Sequence, residues 1–109
     1  MIPKTFEIMG RQWQVKYVSE EALCSEVPEA EKFKHHVSGW CCQENATIYI
    51  CEHDLENAGY REVTFYHELE HAVLYAMGVY KDDHDEEKVD LRGQIRHQYE
   101  TSKKGEVKV

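Results

Sequence analysis

No two of the four cysteines stand in a Cys-x-x-Cys pair, and no apolar run reaches membrane-spanning length. Basic residues are also scarce, 13 against 21 acidic ones. The first absence argues against a zinc ribbon or a thioredoxin-type redox site. The second argues against a transmembrane helix, and Met1-Ile2-Pro3-Lys4-Thr5-Phe6 lacks the apolar stretch of a signal peptide. A cytoplasmic location with free thiols is therefore expected. A net charge of −8 repels phosphate backbones, so no nucleic-acid partner is expected. The one basic concentration, Lys103, Lys104 and Lys108, reads as a solvated tail. No repeat or low-complexity segment appears.

What remains is an ordinary globular profile, 41% hydrophobic and 31% charged over 109 residues. That length suits one domain, expected over residues 1–102, with 103–109 as a flexible tail. Alternating apolar residues predict a hairpin over 5–18: Phe6 and Ile8 on one arm, Trp13, Val15 and Tyr17 on the other, with Met9-Gly10-Arg11 at the turn. Ser19 before Glu20, Glu21 and Ala22 predicts a short helix over Ser19–Cys24, followed by a loop to residue 36. Two further strands are expected at Val37–Cys42 and Ala46–Cys51, joined by Gln43-Glu44-Asn45. A long helix follows at about 60–77, entered near Asn57 or Gly59 and closed by Gly78. After a loop at 78–83, a second helix is expected over about 83–101, its acidic opening residues complementing the macrodipole. The order predicts an α+β fold: a small, mostly antiparallel sheet packed on the long helix, with the second helix returning antiparallel.

Within the long helix stands His67-Glu68-Leu69-Glu70-His71, an HExxH motif. Seven histidines and sixteen glutamates make such a string easier to meet by accident, so its context matters. Val63, Tyr66, Leu69, Val73, Ala76 and Met77 recur at helical spacing, and Thr64, His67, Glu68, His71 and Tyr75 occupy a different stripe. Histidines four apart on a helix share a face and can bind one Zn²⁺. Glu68, beside them, can take a proton from an activated water without being a ligand.

A catalytic zinc usually has three protein ligands. The acidic start of the second helix is the best source of the third. Glu86 is the first choice, with Asp90 one turn later able to accept a hydrogen bond from a ligand histidine and Val89 packing inward. Glu87, in line with Leu91 and Ile95, is the second choice and His84 the third; Asp83 and Asp85 come after these. A separate cysteine site built from Cys41, Cys51 and His53 is a minor alternative to buried structural cysteines.

The stretch from Thr64 through His67-Glu68-Leu69-Glu70-His71 to Gly78, followed by Glu86-Glu87-Lys88-Val89-Asp90, resembles the active-site elements of small phage-encoded zincin-like metallopeptidases. It is more loosely similar to the ImmA/IrrE endopeptidase group. The resemblance spans roughly residues 37–95. It implies His67, His71 and Glu86 as zinc ligands and Glu68 as catalytic base.

The expected activity is zinc-dependent peptide hydrolysis, with a peptide or protein as substrate. Tyr66, Tyr75, Tyr80, His84 and His97 are candidates for an oxyanion donor. Ala46–Cys51 is expected to be an exposed edge strand that takes the substrate by strand addition. The alternative is a zinc-containing binding or regulatory module without turnover, such as a phage-type inhibitor of a host protein. Glu68 favours the enzyme, because a structural zinc needs no base.

Overall fold

A computed structural model describes residues 1–27, 38–52 and 58–108. The expected loop over 28–36, Val37, His53 and the approach to the long helix over 53–57 lie outside the described residues.

The chain opens with β1 (Thr5–Ile8) and β2 (Arg11–Val18), paired antiparallel. Their loop is two residues, not three: Met9 and Gly10 both have positive φ, 51° and 81°, and Arg11 already belongs to β2. That is the backbone a tight hairpin needs to match strand twist. Ser19 caps α1 (Glu20–Glu26), its Oγ accepting from the Ala22 N–H at 3.1 Å. This helix runs two residues beyond the expected end at Cys24.

β3 (Gly39–Cys42) and β4 (Thr47–Cys51) form a second antiparallel hairpin. The four strands make one sheet in the order β1-β2-β4-β3, and β2 pairs with β4 in parallel. The fold is thus α+β, with a mixed sheet rather than a mostly antiparallel ladder of neighbours in sequence. The second hairpin docks on β2 through its later strand, so β4 lies inside the sheet and β3 lies at an edge. The expectation that Ala46–Cys51 is an edge strand is corrected accordingly.

All five residues of β4 are buried because both faces of the sheet are covered. Ile48 and Ile50 pack with Trp13, Cys41, Phe65 and Ala72 on the side of the long helix. Tyr49 and Cys51 pack with Leu23 and Val27 of the α1 segment on the other. Each fully buried isoleucine contributes about 1.5–3 kcal/mol relative to exposure. Cys41 and Cys51 therefore belong to opposite faces of the sheet, which rules out their sharing a metal. No disulfide joins the four cysteines.

The long helix, α2, spans Ala58–Ala76. It ends in a Schellman cap: the Val79 N–H donates to the Leu74 carbonyl and the Gly78 N–H to that of Tyr75, both at 3.0 Å, with Gly78 at φ +81°. A 3₁₀ turn at Lys81–Asp83 leads to α3 (Glu86–Ser102). Asp85 is the N-cap of α3, its Oδ1 accepting from the Glu87 and Lys88 N–H groups. Side-chain pairs between α2 and α3 run His71–Glu86, His67–Asp90 and Glu62–His97, so the helices are antiparallel. Beyond Ser102, residues 103–108 carry no helix or strand and are exposed. Among the described residues, no helix is long and apolar enough to cross a membrane.

α2 is covered on two sides, and this changes which residues it buries. Phe65 and Ala72 face the sheet, while Glu68, Glu70 and His71 are buried as well. Ala76 and Met77, expected on the apolar stripe, are exposed. On α3 the inward residues are Val89 and Gly93, whereas Leu91 and Ile95 face outward.

Candidate metal centre

Helical spacing puts His67 and His71 one turn apart, with ring centroids separated by 5.2 Å. The antiparallel return of α3 brings its first turn over them. Glu86 Oε2 lies 3.2 Å from His67 Nε2, and Glu86 Oε1 lies 3.1 Å from His71 Nε2. One ligand atom from each of the three residues lies within 4.8 Å of the others, so the group could hold a metal ion. Two imidazole nitrogens and one carboxylate suit a first-row divalent cation.

A glycine sets the distance between the helices here. A Cβ built on Gly93 would stand 3.0 Å from both Cα and N of His67. A side chain at position 93 would push α3 away from the helix that carries the histidines. Gly93 is seven residues after Glu86 and three after Asp90, on the face that meets α2. A second glycine, Gly39 of β3, lets the sheet edge approach Glu68: its Cβ would lie 3.2 Å from Glu68 Cγ and 2.7 Å from Thr64 Cγ2.

The histidines are also held from behind. Asp90 Oδ1 lies 3.3 Å from His67 Nδ1, and Asp90 Oδ2 accepts from Gln94 Nε2 at 2.8 Å. His84 Nδ1 lies 2.8 Å from His71 Nδ1. Burial opposes charge on His67, but Glu86, Glu68 and Asp90 outweigh it and bring its pKa up to about 9. Hydrogen bonds to His67 and then His71 hold the Glu86 carboxyl well below the usual carboxylate range.

A small cavity reaches two of the three, His71 and Glu86, and is lined further by Glu68, Trp40, Cys41, Tyr75 and Lys81. It meets a larger cleft of about 510 Å³ that runs along β3 and includes Tyr80 and Asp82. Glu68 is 7% exposed. Burial, then the Glu68 charge, pushes the Cys41 thiol far up, which keeps it neutral and a poor ligand. Burial, with Cys41 and Glu68 adding to it, raises the Tyr75 phenol to about 12. Tyr75 is therefore a hydrogen-bond donor at neutral pH. The Lys81 ammonium lies 4.5 Å from the centroid of the Trp40 ring.

Of the candidate ligands, His67, His71 and Glu86 come together; the alternatives do not join them. Glu87 is exposed on the far side of the first turn, in line with Leu91 and Ile95. His84 lies behind His71 rather than beside Glu86. Asp85 is occupied as a helix cap, and Asp83 sits in the 3₁₀ turn. Of the candidate oxyanion donors, Tyr75 lines the cavity and Tyr80 only the outer cleft. His97 is held by Glu62 at 3.0 Å and packs on Tyr66, at the other end of α2. Lys81 and Trp40 have no signal in the sequence that links them to the motif, since their approach depends on the path of β3.

No protein-family model, curated protein or solved structure matches this chain.

Proposed function

We propose that the protein is a zinc metallopeptidase in which His67, His71 and Glu86 hold the metal and Glu68 is the general base. The observation that carries this reading is the convergence of both histidine Nε2 atoms on the two oxygens of Glu86, beside a cavity that Glu68 also lines. Zinc bound there would supply Lewis acidity, making water a stronger acid and a peptide carbonyl a better electrophile. Glu68 accepts the proton from that water and returns it to the departing amine nitrogen. Tyr75 and Lys81 line the same cavity and offer hydrogen-bond donors to the developing oxyanion. Tyr75 keeps its proton well above neutral pH, so it can donate throughout the working range.

The substrate enters as an extended segment along β3. That strand pairs only with β4 among the described residues, and it borders both the cavity and the larger cleft. Backbone hydrogen bonds to β3 would align a scissile bond beside Glu68. The likeness of the HExxH helix and the Glu86-containing turn to small zincins supports the same assignment.

Two substitutions test it. Wild type should carry about one zinc per chain by elemental analysis, a ratio set by a single three-ligand site, and His71→Ala should carry none. Glu68→Gln should keep the zinc and lose peptide cleavage by about 10²–10⁴-fold, the usual worth of a general base. Zinc-bound wild type that cleaves no peptide in a broad library would instead favour a binding module.

A further inference from the structure

We propose that His84 is a positioning residue of the metal centre, fixing the tautomer of His71 through a hydrogen-bond chain anchored on a backbone carbonyl. The proposal rests on the metal-centre reading above and adds a residue to it. The chain begins at Val79, whose carbonyl can only accept a hydrogen bond. His84 Nε2 stands 3.1 Å from that oxygen and must be its N–H donor. A neutral His84 then has a bare Nδ1, which accepts. The atom facing it at 2.8 Å is His71 Nδ1, which must carry the hydrogen. His71 is thereby left with its lone pair on Nε2, directed at Glu86 Oε1, 3.1 Å away.

Two acceptors at that distance need a positive centre between them: a proton on Nε2 serves in the metal-free protein, and a metal ion would take its place. The same logic holds on the other ligand. Asp90 is acceptor-only behind His67 Nδ1, so the hydrogen there stays on Nδ1, and Nε2, 3.2 Å from Glu86 Oε2, is the nitrogen left to a metal once its proton is displaced. Asp90 and His84 thus act as a matched pair, one behind each ligand histidine.

The anchor is built into the fold. The Schellman cap at Gly78 fixes Val79, and the 3₁₀ turn returns His84 to it, with the His84 N–H donating to the Lys81 carbonyl at 3.0 Å. His84 is buried, 8% exposed, between the His71 ring at 5.0 Å and the Tyr75 ring at 4.6 Å. It cannot rotate away without losing both contacts.

The test compares zinc affinity, by competition with a chromophoric chelator at fixed pH, for wild type, His84→Phe and His84→Asn. Phe keeps the ring volume but accepts nothing; Asn places an acceptor oxygen near the Nδ1 position. His84→Phe should bind zinc about 10–100-fold more weakly, as losses behind a ligand histidine do, while His84→Asn recovers most of that loss. Thermal melts of the metal-free variants establish that they are folded. Independently, long-range ¹H–¹⁵N correlation spectra of metal-free wild type should show hydrogen on Nδ1 of His71 and none on Nδ1 of His84. His84→Phe binding zinc as tightly as wild type, or hydrogen on His84 Nδ1, overturns the role of His84 alone. A wild type that takes up no zinc overturns the metal-centre reading itself, and the two failures are told apart by that one comparison.

Discussion

The two sides of α2 are built from opposite materials. Toward the sheet it presents Phe65 and Ala72 to Trp13, Ile48 and Ile50. Toward α3 it presents charge: Glu62 to His97, His67 and His71 to Glu86, and Glu70 to Arg92 and Arg96. Glu70 is 1% exposed, with its oxygens 2.5 Å from Arg96 Nε and 3.2 Å from Arg92 Nε. Apolar burial is nondirectional and scales with area, so it supplies stability without fixing positions closely. Hydrogen-bonded charge pairs are worth less net free energy but specify distance and orientation. The sheet side of α2 holds the domain together, while the α3 side sets the geometry of the metal-binding group.

If that division is right, the two sides fail in different ways. Phe65→Ala should give the largest effect on stability. It removes a buried ring in edge contact with Phe6 and Tyr66 and should cost about 3–5 kcal/mol in chemical denaturation. Zinc affinity of the folded fraction should stay within error of wild type, because the rings it packs on, those of Phe6 and Tyr66, belong neither to a ligand nor to a partner of one. A Phe65→Ala protein that folds but binds zinc poorly would collapse the distinction between the two sides.

Gly93→Ala should do the reverse. Its Cβ would press on the His67 backbone at 3.0 Å, and overpacking of this kind costs about 1–3 kcal/mol. Alanine in a helix recovers about 1 kcal/mol relative to glycine, so the net loss of stability should be about 0–2 kcal/mol, smaller than that of Phe65→Ala. The displacement falls on the helix pair that brings Glu86 to the histidines, and zinc affinity should drop by about tenfold, the scale of losses from disturbed ligand support. Equal zinc affinity in Gly93→Ala and wild type would mean that α3 can move without carrying Glu86 away.

The same division explains what could be read before the fold was seen. His67, Glu68, His71, Glu86 and Asp90 were legible because each depends on helical spacing and one short connection. The hairpins were legible from alternation, with Met9-Gly10 marking the turn. The parallel pairing of β2 with β4 was not legible. It depends on which edge the second hairpin docks against, and Thr47–Cys51 is apolar enough for either an interior or an edge position. The outward Leu91 and Ile95 misdirect a reading by hydrophobicity: α3 turns its charged and glycine face inward because α2 offers charge there. Gly93 could have been found, since it repeats the Glu86–Asp90 face one turn later. Trp40 and Lys81 could not, because nothing local ties β3 or the 3₁₀ turn to the motif.

The smallest expected effect is a pH dependence confined to the α3 side of α2. In the metal-free protein the pKa of His67 rises from 6.5 to about 9, so its charged form is favoured by folding. That stabilisation is present in full below about pH 6.5, the unfolded value. It is lost as pH rises through about 9. Glu86 has the opposite sign, its pKa lowered from 4.5, so its contribution is present above that value and lost as pH falls. Metal-free protein should therefore melt at steadily lower temperature between pH 6.5 and 9. Glu86→Gln should flatten that decline without abolishing it, since Glu68 and Asp90 also raise His67. Zinc should reverse the trend, because it needs the His67 lone pair that a proton occupies, and binding should tighten as pH rises over the same window. Phe65→Ala, whose defect lies on the sheet side, should melt lower at every pH with the wild-type slope. A changed slope in that variant would show that the two sides of α2 are coupled.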